Sequence, residues 1–274
     1  MKAEIFDIQR GSFVDGPGIR TTVFFKGCNL SCLWCHNPEG ISRGRCMSIS
    51  KSLCTGCGLC KKICQREKCI FCGECVKYCP SGARKIIGRE IGEDELLKIV
   101  SEDKPFYQPD GGVTVSGGEC MLQYKFLESF LKSCRKNNIH TAVDTAGAVP
   151  WEHFETVLPY TDLFLYDIKC ISPQLHKQFT GMDNTDILLN LKKLKNADAK
   201  IHVRIPLIPG FNDNYYEMEK IADFLKDIMP EKIEVLPYHT MGIGKAEALG
   251  KNPIRFTVPD NYTVNRYKKY FELL

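Results

Sequence analysis

The chain reads as an α/β protein, an open partial (β/α)6 TIM-like barrel carrying a short insert folded around metal. Three observations lead there. β-branched and aromatic runs alternate with helix-like stretches, as in parallel βα units. Such strand-like runs number six, too few for a closed barrel of eight. Residues 46–88 break the rhythm, holding nine of the fifteen cysteines with no periodic apolar pattern.

The expected strands are TTVFFKG (21–27), GVTVSG (112–117), HTAVDT (140–145), LFLYDIK (163–169), IHVRIPL (201–207) and KIEVLPY (232–238). Between them lie GEDELLKIVSED, QYKFLESFLKSCRKNN, WEHFETVLPY, NTDILLNLKKLKN and YYEMEKIADFLKDI, with NYTVNRYKKYFELL closing the chain. Several of these open on Asp, Asn or an acidic first turn, as helix starts prefer. In parallel βα folds the chemistry gathers at the carboxyl ends of the strands. The polar motifs fall there: cysteines after the first strand, SGGE after the second, DTAG after the third, DIK after the fourth, RIP at the fifth and PYH after the sixth.

A chain of 274 residues at 43% hydrophobic content can bury a full core, which argues against disorder. No apolar run is long enough for a membrane span and no secretory leader is evident, so a cytoplasmic protein is expected. Reduced thiols binding metal then fit better than disulfides. The formal charge of +4 counts every thiol as neutral, and thiolate-bound clusters would remove the excess. No basic block with interleaved aromatics is present, and no nucleic-acid partner is expected.

Cys54, Cys57, Cys60 and Cys64, then Cys69, Cys72, Cys75 and Cys79, form two copies of C-x2-C-x2-C-x3-C, the second ending in Pro80. Paired zinc knuckles are the alternative, but zinc prefers two well-separated C-x2-C pairs, whereas three cysteines at this spacing wrap a cubane corner. Cys28, Cys32 and Cys35 stand as C-x3-C-x2-C, a ligand short of a closed site. Either His36 completes a zinc site or one metal corner stays open for a substrate.

The doubled run resembles bacterial two-cluster ferredoxins, whose fourth cysteines cross over. The resemblance implies one 4Fe–4S cluster on Cys54, Cys57, Cys60 and Cys79 and another on Cys69, Cys72, Cys75 and Cys64. The triad, with Trp34 before its last cysteine, resembles the signature of radical S-adenosylmethionine enzymes, which implies a third cluster whose open iron takes the cofactor. By the same resemblance Gly117, Gly118 and Glu119 bind the cofactor's amino group. Asp144, Thr145, Asp167 and Lys169 line its ribose and methionine end, with Lys169 counted among the catalytic groups beside Cys28, Cys32 and Cys35. Asp144, Thr145 and Asp167 also resemble a monovalent-cation site. Arg204 approaches the cofactor, His239 lies near the adenine, and Asn37 stands beside the cluster. Cys120, where many relatives carry proline, is expected to be a small buried residue, and Cys46, Cys134 and Cys170 ordinary thiols. MGIGKAEALGK lacks the Gly-Lys-Ser/Thr of a P-loop and is set aside.

With the opening IFDIQRGSFVDGPGIRTTVFFKG, the whole chain resembles the glycyl radical enzyme activating enzymes, similar to the pyruvate formate-lyase activating enzyme but with the ferredoxin-like insert. The implied division is a barrel of residues 1–45 and 89–274 and an insert of 46–88. The implied substrate is a protein, a glycyl radical enzyme whose glycine loses an α-hydrogen to a 5′-deoxyadenosyl radical. Flavodoxin or ferredoxin is the implied electron donor, and the expected state is a monomer in an anaerobic cell. Two other classes stay open: a radical enzyme acting on a small molecule or peptide, and a simple iron–sulfur electron-transfer protein.

Overall fold

The computed structural model describes residues 1–107 and 109–274. In chain order it begins with β1 (Lys2–Ser12), β2 (Arg20–Phe25), β3 (Cys46–Ile49), α1 (Leu59–Ile63), α2 (Glu74–Lys77), β4 (Arg84–Ile87) and β5 (Arg89–Gly92). The alternating part follows as α3 (Glu93–Glu102), β6 (Gly112–Gly117), α4 (Tyr124–Lys136), β7 (His140–Thr145), α5 (Trp151–Val157), β8 (Leu163–Asp167), α6 (Pro173–Thr180), α7 (Thr185–Asn196) and β9 (Ile201–Leu207). It closes with α8 (Tyr215–Ile228), β10 (Lys232–Pro237), α9 (Met241–Ala248) and α10 (Asn261–Glu272).

Six strands run parallel in the order β10-β9-β8-β7-β6-β2, each paired to the next. The sheet does not close. On the β2 side, β1 pairs antiparallel with β2, and β5 antiparallel with β1, making eight strands with edges at β10 and β5. Neither antiparallel strand was anticipated, although KAEIFDIQRGS buries Ala3 and Ile5 in alternation, as a strand with one covered face does. Helices α6 and α9 were also unanticipated. The stretch that looks phosphate-like is α9, whose Gly242, Ile243 and Ala246 are buried.

The parallel strands are apolar because helices cover them: β6 buries all but its last residue, and β9 alternates, with Ile201, Val203, Ile205 and Leu207 buried in the core. Helix α4 meets that layer with Phe126, Leu127, Phe130, Leu131 and Cys134, a stripe at helical spacing. Helix α8 does the same with Met218, Ile221, Ala222, Leu225 and Ile228, and starts on Asn214, whose side chain accepts from the Glu217 amide.

A second sheet of two antiparallel strands, β3 and β4, pairs Cys46 with Ile87 and Ile49 with Arg84, with α1 and α2 between them in the chain. Within this segment only Cys75 and Ala83 are buried. Apolar burial alone therefore cannot fold it. None of the described helices is long and apolar enough to cross a membrane.

Candidate active site

Strand β2 delivers the chain into the cysteine loop, which is clamped from both sides. The Gly27 amide donates to Gly40 O at 2.8 Å and the Cys28 amide to Ile41 O at 2.9 Å. The Ser31 and Leu33 amides donate to Thr180 O and Phe179 O at 2.8 and 3.0 Å, so the carboxyl end of α6 carries the loop's middle. Gly242 of α9 packs under the Cys35 carbonyl with no room for a Cβ. Burial pushes the thiols of Cys28 and Cys32 up to about 12 and that of Cys35 up to about 11, against a downward pull from Lys169 on each. Thiols in such a place become thiolates when a metal supplies the compensating charge.

The glycine pair after β6 is dictated by packing. Gly117 has φ +120°, and a Cβ there would strike the Phe25 backbone, while one on Gly118 would strike Gly27 O and Gly40 O. The same approach lets the Glu119 amide donate to Gly27 O at 2.7 Å. The Glu119 side chain, 1% exposed, turns inward. It accepts from Thr145 Oγ1 at 2.7 Å, the Ala146 amide at 3.0 Å and the Met121 amide at 3.2 Å. Burial raises its pKa to about 7 despite those donors. Cys120 beside it is fully buried.

Two carboxylates at adjacent strand ends each meet a cation. Arg204 of β9 brings Nη1 within 3.1 Å of Asp144 Oδ1, and Ser116 donates to Asp144 Oδ2 at 2.6 Å. Lys169 donates to Asp167 Oδ2 at 3.0 Å. Burial pulls both basic groups toward neutrality, but Asp144 and Asp167 outweigh it for Arg204, and Asp167 with Cys32 for Lys169, so both are held charged. Burial pushes the Asp144 carboxyl above its ordinary value, opposed by Arg204. Arg204 Nε is buried with no hydrogen-bond partner among the described residues, a donor aimed at nothing the chain supplies.

A cavity of about 340 Å³ is lined among others by Cys32, Trp34, Cys35, Tyr238, His239 and Ile243. Trp34 packs on Phe211 at 4.6 Å between ring centroids, and His239 meets His36 edge to face at 4.2 Å. Asn37 faces α9, its Oδ1 accepting from Lys245 Nζ at 2.9 Å.

The cysteines of the doubled run fall between residues 54 and 79, while Cys134 on α4 and Cys170 after β8 are buried elsewhere. Cys54, Cys57, Cys60 and Cys79 surround a cavity of about 30 Å³. A hydrogen bond from Ser81 and neighbouring amides hold the Cys79 thiol below its ordinary value. Among the described residues no three His, Cys, Asp or Glu side chains stand close enough to share a single metal ion.

Sequence reasoning gave no role to several groups that complete the site. Lys245 also pairs with Glu39 at 3.1 Å, about two hundred residues away in the chain, and no local pattern announces it. Ser116, directly ahead of the glycine pair, is another. Asp15 of DGPGIR had a signal in its motif: it bonds Ser12 and Thr22 and adds to the field that holds Arg204 charged. The arginine closing that motif, Arg20, is fully buried and pins the preceding loop through Thr114 Oγ1 and Val113 O at 2.6 Å each and Pro17 O at 3.1 Å.

Comparison with known proteins bears on this site. The Radical SAM superfamily matches residues 62–225, a span that begins beyond the cysteine triad. The choline trimethylamine-lyase activating enzyme of Oleidesulfovibrio alaskensis is 38% identical over 91% of this chain and 87% of its own. The trans-4-hydroxy-L-proline dehydratase activating enzyme of Clostridioides difficile is 40% identical over 92% of this chain and 89% of its own. Among solved structures, a domain of the pyruvate-formate lyase-activating enzyme from Bacteroides vulgatus is 31% identical, covering 59% of this chain and 93% of that one at a TM-score of 0.51.

Proposed function

The chain belongs to the radical SAM superfamily and, within it, to the glycyl radical enzyme activating enzymes, and from that premise we propose that it generates a glycyl radical on a partner enzyme. As in its family, it is an enzyme that uses a 4Fe–4S cluster and S-adenosylmethionine and acts on a protein. In this proposal Cys28, Cys32 and Cys35 hold the cluster with the open iron. Bound there, the cluster would supply the electron for reductive cleavage of S-adenosylmethionine to methionine and a 5′-deoxyadenosyl radical.

The chain's own residues then bind and orient. Trp34 and His239 wall the adenine side of the cavity, whose size suits a nucleoside. Arg204 offers its unpaired Nε, and Lys169 its ammonium, to the cofactor's carboxylate and ribose. Gly117 and Gly118 present backbone to the amino group. Glu119 acts by tying two loops together, since Thr145, Ala146 and Met121 already occupy its oxygens. A monovalent cation at Asp144, Thr145 and Asp167 belongs to the same proposal, sharing carboxylates with Arg204 and Lys169. The open sheet leaves an entrance for a loop of the partner, and Phe13 and Val14, each 73% exposed ahead of Asp15, offer it an apolar contact.

Residues 46–88 are proposed as a ferredoxin-like insert with two further clusters, fed by flavodoxin or ferredoxin in the cytoplasm of an anaerobic cell by a monomeric chain. The near absence of buried apolar residues supports metal as its core, and the cavity ringed by Cys54, Cys57, Cys60 and Cys79 supports the crossed ligand set.

The observation that carries the functional reading is that Cys32 and Cys35 of the triad line one cavity of about 340 Å³ together with Trp34 and His239. Incubating the iron-loaded chain with S-adenosylmethionine and dithionite under nitrogen tests it. Formation of 5′-deoxyadenosine and methionine is expected, and an inert mixture with full iron would overturn the reading.

A further inference from the structure

The insert carries eight basic residues, and seven of them, Lys51, Lys61, Lys62, Arg66, Lys68, Lys77 and Lys85, are exposed. Solvent screens charges in such positions. Arg84 differs. It opens β4 opposite Ile49, and that pairing fixes its backbone against the start of the insert. Its Nη1 donates to Cys60 Sγ at 3.2 Å, and its Nε is buried without a partner among the described residues. No carboxylate pairs with it among the described residues. Arg84 also lines the small cavity that Cys54, Cys57, Cys60 and Cys79 share.

We propose that Arg84 is a positioning residue that, through Cys60, raises the reduction potential of the cluster held by Cys54, Cys57, Cys60 and Cys79; this rests on the reading of 46–88 as a two-cluster insert. A cluster gains one negative charge when it accepts an electron. A fixed cation at hydrogen-bond distance from a ligating sulfur stabilises that added charge, and more so where solvent is partly excluded. Hydrogen bonds to cluster sulfurs act in the same direction. The guanidinium stays charged and holds its donors in a fixed fork, whereas a lysine ammonium is a compact, more strongly hydrated point charge on a flexible stem.

The test is a dithionite titration of the iron-loaded, full-length protein followed by electron paramagnetic resonance, with iron counted in each variant. Wild type should hold roughly twelve irons per chain. Arg84→Met should keep that iron and shift the reduced-to-oxidised ratio of the cluster that Cys60 helps to hold at least about tenfold toward oxidised, about 59 mV for a one-electron couple. Arg84→Lys should recover part of the shift, and Arg84→Gln, which keeps polarity without charge, should behave as Arg84→Met does. The signal of the triad's cluster should stay where it is. Full iron with unchanged potentials in Arg84→Met overturns the role of Arg84 alone. Loss of iron in both Arg84→Met and Arg84→Gln makes the residue a support of the fold and overturns potential tuning. Only about four irons in wild type overturns the two-cluster reading, and the Arg84 role with it.

Discussion

The Glu119 carboxylate accepts from Thr145 Oγ1 at 2.7 Å and from the Ala146 amide at 3.0 Å, so the loops after β6 and β7 are held as one unit. A residue that by family resemblance reaches the cofactor is here spent on holding the site's shape. Its pKa, raised by burial from 4.5 to about 7, means that the folded state binds its proton more tightly than the unfolded chain does. Stability should therefore be greatest below pH 4.5 in this respect and decline as pH rises from about 4.5 to 7, by about 3 kcal/mol at most. Unfolding midpoints at pH 5 and 8 should show that decline in wild type and lose it in Glu119→Gln. Glu119→Ala, which strands three buried donors, should cost about 1–3 kcal/mol at either pH.

Arg204→Met should weaken S-adenosylmethionine binding about ten- to a hundredfold, the usual loss for one or two charge-assisted contacts, with the iron content of the triad unchanged. Equilibrium binding of the cofactor to the iron-loaded chain checks this. Asp144→Ala should weaken binding too, because Arg204 loses the partner that orients it.

Gly118→Ala should destabilise the fold by about 3 kcal/mol or more, since its Cβ meets two backbone oxygens that cannot move independently of the cysteine loop. Gly44→Ala is the control: φ is +73° but nothing lies within 4 Å, so only backbone strain of about 1 kcal/mol is expected. Thermal unfolding of the two variants should separate them clearly.

The six parallel strands were legible because each is a β-branched run long enough to cross a sheet covered on both faces. Their ends were legible too, and with them the positions of the cysteines, the glycine pair, Asp144, Asp167 and Arg204 at one mouth. Strand β1 was missed because its eleven residues include Glu4, Asp7, Gln9 and Arg10, an edge-like polar alternation that reads as loop without its partners β2 and β5. Helix α9 was missed because its glycines argue against a helix. Here Gly242 is required by the approach to Cys35. Pairings such as Lys245 with Glu39, or Arg84 with Cys60, join residues whose proximity arises only from the fold.

If the insert relays electrons, changing Cys69 and Cys72 to Ala should leave dithionite-driven cleavage of S-adenosylmethionine intact and collapse cleavage driven by reduced flavodoxin. Normal cleavage with both reductants, and a loss only of radical formation on the partner, would instead make the insert a docking surface. Cys28→Ala, Cys32→Ala and Cys35→Ala should each abolish cleavage with both reductants while the insert keeps its iron.

The central claim is hydrogen abstraction from a glycine of a protein. The most direct measurement supplies the iron-loaded chain, S-adenosylmethionine and dithionite to each glycyl radical enzyme encoded in the same genome, labelled with deuterium at the glycine α-carbon. With its own partner, the chain should produce a glycyl radical resonance and 5′-deoxyadenosine carrying one deuterium, in matching amounts. If 5′-deoxyadenosine forms with no deuterium and no radical resonance for any of those enzymes, the chain is not their activating enzyme.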